Sequence, residues 1–461
     1  MIYLGMKFFL PRRLRHGITT ALLFAVLLPP WVQAAQLMPR PKVVVISLDA
    51  FGAASLSEPQ LPAPTLRTLM RQGAYAVSMR PINPTVTWPN HTAMVTGVDA
   101  SRHHVLVNGL VVNQRTGASP AIDMDASKAR LVAVPTVYEV AHRAGLTTAQ
   151  VDWVAIKDAP GLDWQFAEHP DPGGAIEQDL VRQAVVTDDE LARFNEPSQA
   201  WRDRIYTSAA VAIIGKHHPD LLLLHLLALD SIEHQTGFGN DSGRDAIAFL
   251  DDRVKDVIDA VRAAGDLGRT TFIIVSDHGQ KNVHQRLHPN VVLKRSGLQA
   301  ASAPQPTFCL PDGGFALVYQ AHATKASIKQ LKSLFAGKAG VRSVLTPEEA
   351  AKDGWPTPAQ SDQAPDLLLY AADGYDFTDG DTGEFQTPTQ EIGAHGYPNT
   401  NPLMHGIFIA AGAGIQRKGE IPTFSNVDIG PTIAQLLHVS LGTTEGKPLT
   451  GILATKLRLA K

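Results

Sequence analysis

The sequence is almost without cysteine, since Cys309 is the only one in 461 residues. A single cysteine excludes a disulfide within the chain, and it also excludes the cysteine-rich zinc sites that stabilise many small domains. Any metal ion must therefore be held mainly by Asp, Glu and His side chains. The 17 His residues are an ample supply of such ligands.

An excess of either charge is also missing, because 41 Lys and Arg residues stand against 44 Asp and Glu residues. Nucleic-acid-binding proteins usually carry a basic surplus or a basic patch. We therefore expect no nucleic-acid polymer as a partner. The hydrophobic content of 44% and the charged content of 18% are typical of a folded globular protein.

The sequence has no apolar run of the ~20 residues that a transmembrane helix needs. Residues 18–28 are apolar, follow a basic start that includes Arg12 and Arg13, and precede a small-residue cleavage pattern at residues 32–34. This order is typical of a secretory signal peptide, which we predict over residues 1–35. The expected product is an exported protein, periplasmic or secreted, without stable membrane insertion after cleavage. An uncleaved membrane anchor is the alternative.

Three apolar runs of strand-forming residues end in acidic side chains, at Asp49, at Asp230 and at Asp277, which His278 follows. Short apolar runs bounded by turn signals predict buried strands of a parallel sheet. Ligands bind beyond the carboxyl ends of such strands, so we expect these side chains to lie at one edge of the sheet. Taken alone, Asp49 is equally well explained as the N-cap of a helix.

Two further histidines complete this set of candidate ligands. His234 follows Asp230 by four positions, a spacing that lets both side chains reach one metal ion, although a surface histidine is the alternative. His395 lies between glycines, where the backbone is free to approach a metal closely. Together with the strand-end residues they make six ligands, enough for two divalent ions. Carboxylate and imidazole ligands suit zinc and also admit manganese or iron.

The stretch 83–97 contains a candidate nucleophile, Thr87. Pro84 and Pro89 predict a loop, and a helical pattern begins at Asn90. A hydroxyl just before a helix lies where backbone N–H groups favour an anion, so Thr87 is suited to meet a phosphate. Beside two metal ions it would be the nucleophile of a phosphoryl transfer. The alternative is that Thr87 simply caps the helix.

Asn108 is a candidate donor to a phosphoryl oxygen, and the alternative is a turn residue beside Gly109. Its side chain is neutral, so it offers less to a dianionic phosphomonoester than an Arg would. No Arg in the sequence can be assigned to that task. This favours a phosphodiester substrate over a monoester.

Five motifs in this order resemble the alkaline phosphatase superfamily and, within it, the nucleotide pyrophosphatase/phosphodiesterase family. They are residues 45–49, residues 87–91, Asp230 with His234, residues 276–279 and residues 393–397. The resemblance implies an alkaline-phosphatase-like α/β/α sandwich with a central, mostly parallel sheet and inserted cap segments. We expect this catalytic domain over residues 36–461, with insertions near 110–133, 158–198 and 284–326.

The resemblance also implies two zinc ions and their ligands. The first ion is implied to be held by three side chains and by the nucleophile as fourth ligand: Asp49, Asp277, His278 and Thr87. The second is implied to be held by Asp230, His234 and His395. Asn108 matches the phosphate-binding Asn of the family.

The function that follows is hydrolysis of phosphodiester or phosphoanhydride bonds in a small-molecule phosphodiester or nucleotide, through a phosphothreonyl intermediate on Thr87. Two positions depart from the motifs of the family. Trp88 stands where Phe is more usual, and Pro398 follows Tyr397 where an acidic residue or Asn is common. A phosphomonoesterase or phosphonate hydrolase with the same metal site is the first alternative. A sulfatase would need a modifiable Cys or Ser that this motif does not supply. The remote alternative is a non-catalytic exported metal-binding protein.

Overall fold

The structure is a computed structural model that describes residues 40–300 and 302–454. The signal peptide predicted over residues 1–35 lies outside the described residues. Within the described ranges, no helix has both the length and the apolar composition that a membrane crossing requires.

The described residues form strands and helices between Lys42 and Leu436. The strands are β1 (Lys42–Leu48), β2 (Ala74–Ala76), β3 (Met79–Arg80), β4 (Leu110–Val112), β5 (Ala121–Asp123), β6 (Thr148–Val151), β7 (Trp164–Phe166), β8 (Leu221–Leu226), β9 (Thr270–Val275), β10 (Lys281–Leu287), β11 (Thr307–Asp312), β12 (Phe315–Gln320), β13 (Val341–Leu345), β14 (Leu367–Ala371), β15 (Gly374–Phe377), β16 (Gln386–Ala394), β17 (Phe408–Gly412), β18 (Gly419–Ile421) and β19 (Phe424–Ser425). The α-helices are α1 (Ala53–Leu56), α2 (Pro64–Gln72), α3 (Thr87–Thr96), α4 (Ala100–His103), α5 (Lys128–Leu131), α6 (Val137–Arg143), α7 (Ala175–Arg182), α8 (Asp188–Ala192), α9 (Gln199–His217), α10 (Ala228–Thr236), α11 (Asp241–Ala263), α12 (Pro289–Arg295), α13 (Lys325–Phe335), α14 (Pro347–Ala350) and α15 (Ile429–Leu436). Short 3₁₀ turns lie at Leu267–Arg269, Ala351–Asp353, Pro402–Met404 and Asn426–Asp428.

The large sheet has eight strands in the order β18-β2-β17-β9-β1-β8-β6-β7. Seven of them run in the same direction, and β17 runs against them between β2 and β9. Every residue of β1, β8 and β9 is buried, as expected for parallel strands that are covered on both faces. The predicted central, mostly parallel sheet is confirmed.

Alternate residues of the central strands face two separate hydrophobic cores. Val44 and Ile46 of β1 pack in the core that contains residues of α2, α9 and α11. Val43 and Val45 point the other way, into the core that contains residues of α3, α6 and α15. Helices thus cover both faces of the sheet, which is the predicted α/β/α sandwich.

Parallel pairing aligns the carboxyl ends of the three central strands. Ser47 of β1 is paired with His225 of β8 on one side and with Val275 of β9 on the other. Asp49 lies two residues beyond Ser47, and Asp277 lies two residues beyond Val275. Both therefore emerge at the same edge of the sheet, because the strands run side by side in the same direction.

The predicted helix start at Asn90 is wrong, because α3 already begins at Thr87. Pro89 lies in the first turn of the helix, where its missing N–H costs no hydrogen bond. The sequence pattern suggested that Pro89 belongs to a loop, whereas its fixed φ angle also fits a helix start. The hydroxyl of Thr87 is consequently part of the first helical turn.

The prediction that Asp230 ends a strand is also wrong. Strand β8 ends at Leu226, and Asp230 lies in the first turn of α10. The apolar run continues from the strand into the helix, so its pattern gave no sign of the boundary. Asp230 and His234 are therefore separated by one helical turn rather than by a loop.

A second, antiparallel sheet has the order β11-β12-β14-β13. Its first two strands form a hairpin, with Gly313 and Gly314 in the turn. Gly313 has a φ of 61°, which glycine adopts without strain. This hairpin belongs to the segment 284–326. The description of that segment, and of 110–133 and 158–198, as insertions stays a prediction.

Asp203 of α9 holds the start of the helix that carries Asp230. Its carboxylate accepts hydrogen bonds from the N–H groups of Leu227 at 3.2 Å and of Ala228 at 2.7 Å. These donors have no partner within their own helix, and Asp203 is completely buried. The position of α10 at the edge of the sheet thus depends on a side chain from another helix.

We expect Asp203→Ala to lower the free energy of unfolding by about 1–3 kcal/mol, because two buried donors lose their acceptor. Chemical denaturation of the purified protein measures this change. The exposed neighbour Arg204 is the control, and Arg204→Ala should change stability by less than about 0.5 kcal/mol. Equal stability of the Asp203→Ala variant and the unsubstituted protein would contradict the assigned role of this carboxylate.

Candidate active site

The first group of predicted ligands surrounds the Nε2 atom of His278. This atom lies 3.5 Å from Oδ1 of Asp49, 3.3 Å from Oδ2 of Asp277 and 3.4 Å from Oγ1 of Thr87. The two carboxylates and the imidazole are buried, and Thr87 is 7% exposed. The structure therefore brings together four residues that lie up to 229 positions apart in the sequence, from Asp49 to His278.

The second group is formed by residues from α10 and from the loop after β16. Oδ1 of Asp230 lies 3.3 Å from Nε2 of His234 and 3.9 Å from Nε2 of His395. The Nδ1 atom of His234 is 3.0 Å from the carbonyl oxygen of Gly393, to which its N–H can donate. This bond fixes the ring so that Nε2 is turned toward Asp230.

The two groups are in direct contact. The rings of His278 and His395 stack with their centroids 4.0 Å apart. Ligand atoms of Asp230, His234 and His395 lie within 4.8 Å of one another, and so do those of Asp49, Asp230 and His278. Asp230 is a member of both sets, so the two groups form one continuous cluster.

The electrostatics of the cluster are those expected of closely spaced ligands. Burial, followed by the nearby carboxylates of Asp277 and Asp230, raises the pKa of Asp49 well above its ordinary range. Burial also acts to raise the pKa of Asp230, but the neighbouring imidazoles, first of all His234, hold it below its usual value. Burial opposes protonation of His234, yet Asp230 raises the pKa of that imidazole to about 9.

The donor set fits a divalent cation. Oδ1 of Asp49 and Oδ2 of Asp277 are buried without a hydrogen-bond partner among the described residues, and both lie near Nε2 of His278. Buried carboxylate oxygens without donors are costly unless a positive charge compensates them. A cation at this place would satisfy both. Carboxylate and imidazole ligands without thiolate favour zinc over magnesium.

The start of α3 offers two donors next to the hydroxyl of Thr87. Oδ1 of Asn108 accepts a hydrogen bond from the Trp88 N–H at 2.9 Å, and Pro89 has no N–H. The Thr87 N–H and the NH₂ group of Asn108 have no hydrogen-bond acceptor among the residues that the structure describes. These two donors suit the oxygens of a phosphoryl group.

Two alternatives that rest on helix capping are wrong. The N-cap of α3 is Val86, and no side chain caps that helix, so Thr87 is not a capping residue. The helix after β1 has Gly52 as its N-cap, so Asp49 does not cap it either. Both side chains are thus free to act in the cluster.

The motifs did not predict two residues that contact the candidate ligands, Gln280 and His225. Gln280 donates from Nε2 to Oδ1 of Asp230 at 2.5 Å. His225 lies 3.0 Å from Oδ2 of Asp49. The signal for His225 is present in the sequence, since it is the one polar residue inside the apolar run of β8. Gln280 gives no such signal, because it lies in the irregular segment between β9 and β10.

A sequence model described as type I phosphodiesterase/nucleotide pyrophosphatase matches residues 43–398. The chain belongs to this family. The predicted membership is confirmed, and this phosphodiesterase is a hydrolytic enzyme that acts on phosphodiester bonds. The family is metal-dependent, in agreement with the candidate ligand groups.

Curated relatives match this phosphodiesterase over most of its length. A Xenopus laevis bis(5'-adenosyl)-triphosphatase is 24% identical over 431 residues, which cover 91% of this chain and 82% of the relative. Human ectonucleotide pyrophosphatase/phosphodiesterase family member 5 is 22% identical over 408 residues, with coverage of 87% and 75%.

Solved structures share the fold of this phosphodiesterase. Murine ectonucleotide pyrophosphatase/phosphodiesterase 5 superposes with a TM-score of 0.70 at 17% sequence identity, and the match covers 90% of this chain and 100% of the murine chain. The same murine protein is known as an inactive threonine-to-alanine variant in complex with AMP. The predicted alkaline-phosphatase-like fold is confirmed.

Proposed function

We propose that this phosphodiesterase hydrolyses phosphodiester or phosphoanhydride bonds of small molecules, nucleotides among them, through a phosphothreonyl intermediate on Thr87. The observation that carries the proposal is the convergence of two Asp/His groups, linked through Asp230, beside the hydroxyl of Thr87. The murine relative is inactive as a threonine-to-alanine variant. That observation supports the nucleophilic role that we infer for Thr87.

Each predicted ligand group would hold one divalent ion, most favourably zinc. The first ion would be held by Asp49, Asp277, His278 and Thr87, and the second by Asp230, His234 and His395. When bound, the two ions supply positive charge that favours the ionised form of a hydroxyl and stabilises the leaving oxygen. These assignments follow the resemblance and agree with the short distances within each group.

The chain's own residues perform the two displacements. Oγ1 of Thr87 forms a bond to phosphorus while the bond to the leaving oxygen breaks, and the hydroxyl proton passes to solvent. Water then attacks the same phosphorus, and the Thr87 Oγ1–P bond breaks to restore the hydroxyl. The Thr87 N–H and the NH₂ group of Asn108 donate to the non-bridging oxygens, on which negative charge must be stabilised.

A cavity of about 310 Å³ that is lined in part by Trp88 suits the organic part of a substrate. Trp88, which follows the nucleophile, and Trp153 line it, together with Val154 and Ile156. Flat aromatic walls favour a ring system that stacks on them. We therefore infer that one ester group of the substrate lies against Trp88.

We also infer that residues 1–35 direct export and are then removed, so that residues 36–461 form the working enzyme in the periplasm or outside the cell. This inference rests on the sequence of the basic start and the apolar stretch. Mass spectrometry of the mature N-terminus tests it directly.

A preference for diesters over monoesters is the test of the proposed reaction. In the described parts of the chain, the ion-pair partners of Asp49, Asp230 and Asp277 within 4 Å are all histidines. Among the described residues, no Arg or Lys thus pairs with these carboxylates, and we infer that the second charge of a monoester dianion is not neutralised. We expect kcat/KM for a bis-nitrophenyl phosphodiester to exceed that for nitrophenyl phosphate by about tenfold or more, or ~1.4 kcal/mol.

Asn108 provides the matched variant for this comparison. Asn108→Ala should lower diester turnover by about 10²-fold, since one donor to the transition state is lost. Faster hydrolysis of the monoester by the unsubstituted enzyme would instead favour the phosphomonoesterase alternative.

A further inference from the structure

His225 interrupts a strand whose other residues are all leucine, and it is completely buried. Parallel pairing places it beside Ser47 of β1 on one side. On the other side, Val151 of β6 pairs with Leu224, so Asp152 comes directly beside His225. A polar ring inside a buried strand needs hydrogen-bond partners, which makes its contacts informative.

The imidazole of His225 lies between two aspartates. Its Nε2 atom is 3.0 Å from Oδ2 of Asp49, and its Nδ1 atom is 3.2 Å from the carbonyl oxygen and 3.6 Å from Oδ2 of Asp152. The other carboxylate oxygen of Asp49, Oδ1, is the one near His278. His225 therefore contacts Asp49 through the oxygen that the predicted ligand cluster does not use.

Asp152 is an unusual residue for a buried position. It is 1% exposed, and neither of its carboxylate oxygens has a hydrogen-bond partner among the described residues. Its φ angle of 55° lies in the left-handed region, which non-glycine residues rarely adopt. Its N–H donates to the carbonyl of Phe166 at 2.8 Å, so the strained backbone is fixed in place. Such a residue is poorly explained by stability and points to a function.

We propose that Asp152 and His225 form a positioning pair that holds the Asp49 carboxylate in the orientation required of a metal ligand. The inference rests on the proposed function, because it takes Asp49 as a ligand. Partners outside the ligand set orient metal ligands, and their loss typically costs roughly 10–100-fold in metal affinity or activity. His225 touches neither substrate nor reacting atoms, so its effect passes through Asp49.

The other buried carboxylate of this group is held in a different way. Oδ1 of Asp277 accepts a hydrogen bond from the Ala50 N–H at 3.3 Å. The nearest imidazole outside the ligand set, His91, lies 3.6 Å from Oδ2 of Asp277 and is 2.9 Å from the carbonyl of Thr87, to which its Nδ1 can donate. A backbone group thus fixes Asp277, whereas a replaceable side chain fixes Asp49.

The test uses the full chain and two substitutions that differ in where they place an amide nitrogen. His225→Gln puts its NH₂ group near the position of Nε2, so a donor to Asp49 is kept. His225→Asn puts its NH₂ group near the position of Nδ1, so the donor to Asp49 is lost. Zinc bound at a series of chelator-buffered free zinc concentrations is measured by elemental analysis, together with kcat and KM for a bis-nitrophenyl phosphodiester. Circular dichroism establishes that each variant is folded.

We expect His225→Asn to weaken zinc binding at one of two sites by roughly 10–100-fold and to lower kcat to a similar degree without raising KM. His225→Gln should retain most of both properties. Asp152→Asn should lower zinc affinity and kcat by a smaller factor, because the backbone carbonyl of residue 152 still contacts His225. Asn also tolerates the left-handed backbone at this position.

His103 supplies the control, since it is a completely buried histidine in α4 that contacts no predicted ligand. His103→Asn should leave zinc affinity and kcat unchanged in the folded protein. The positioning role is overturned if folded His225→Asn has the zinc affinity and the kcat of the unsubstituted chain. It is also overturned if His225→Asn and His225→Gln lose zinc affinity and kcat to the same extent. If the unsubstituted chain itself binds no zinc, the proposed function fails instead.

Discussion

Replacing Thr87 with Ala is expected to lower kcat for a phosphodiester by at least about 10³-fold, because the attacking oxygen is removed. The Oγ1 atom lies in the first turn of α3, 3.4 Å from Nε2 of His278 in the first ligand group. No neighbouring hydroxyl on that turn replaces it. Steady-state hydrolysis of a bis-nitrophenyl phosphodiester by the zinc-loaded protein measures the loss.

Two variants separate this chemical effect from a change in structure. Thr87→Ser keeps a hydroxyl and should retain measurable turnover. Thr96→Ala removes another buried hydroxyl from the same helix, one that bonds only to the carbonyl of Thr92, and should leave kcat nearly unchanged. Acid quenching during turnover followed by mass spectrometry should locate the phosphoryl group on Thr87. A Thr87→Ala variant with an unaltered rate would refute the mechanism.

Removal of bound metal is expected to abolish turnover and to lower thermal stability, and zinc should restore both. Without a cation, Oδ1 of Asp49 and Oδ2 of Asp277 are buried without a hydrogen-bond partner among the described residues, and the charges of Asp277 and Asp230 oppose ionisation of Asp49. A ligand that binds only the folded state stabilises it by ~2.7 kcal/mol at a concentration 100 times its dissociation constant. Activity and the unfolding temperature are measured before chelation, after it and after the return of zinc.

The choice of ion tests the ligand chemistry in the same experiment. Magnesium prefers oxygen ligands and should restore little activity, since three of the six Asp/His ligands are imidazoles. Thr87→Ala should lose turnover while keeping most of the stabilisation by zinc, because the other ligands remain. Full activity in a protein shown by elemental analysis to be metal-free would contradict the two-metal proposal.

The fold was predictable where one physical signal dominated. The continuous apolar runs of β1, β8 and β9 indicated buried parallel strands, and their side-by-side pairing follows from that pattern. The start of α10 was not predictable, since Leu227 and Leu229 extend the apolar run past the end of β8. Pro89 misled the prediction of α3 because proline fits both a loop and a first helical turn.

The candidate site was predictable to the extent that its residues carry motifs. Residues far apart, such as Asp49 and Asp277, could be grouped because strand ends meet at one edge of a sheet. The ligand roles themselves stay predictions. The contacts of Gln280 and Asp152 depend on the exact path of loops after β9 and β6, which no local pattern encodes. His225 was visible as a polar residue in an apolar strand, but its partner was not.

The reversed strand β17 sets a condition on the order in which this protein can be made and folded. In the described structure, β2 pairs with β17 and β18, and both of these follow residue 407. A growing chain therefore holds β2 without a sheet partner until nearly the whole sequence has been synthesised. His395, the last candidate ligand, also arrives late in synthesis. Metal binding by the complete cluster must consequently follow synthesis of His395, although β1, β8 and β9, which align Asp49 and Asp277, are already complete at Val275.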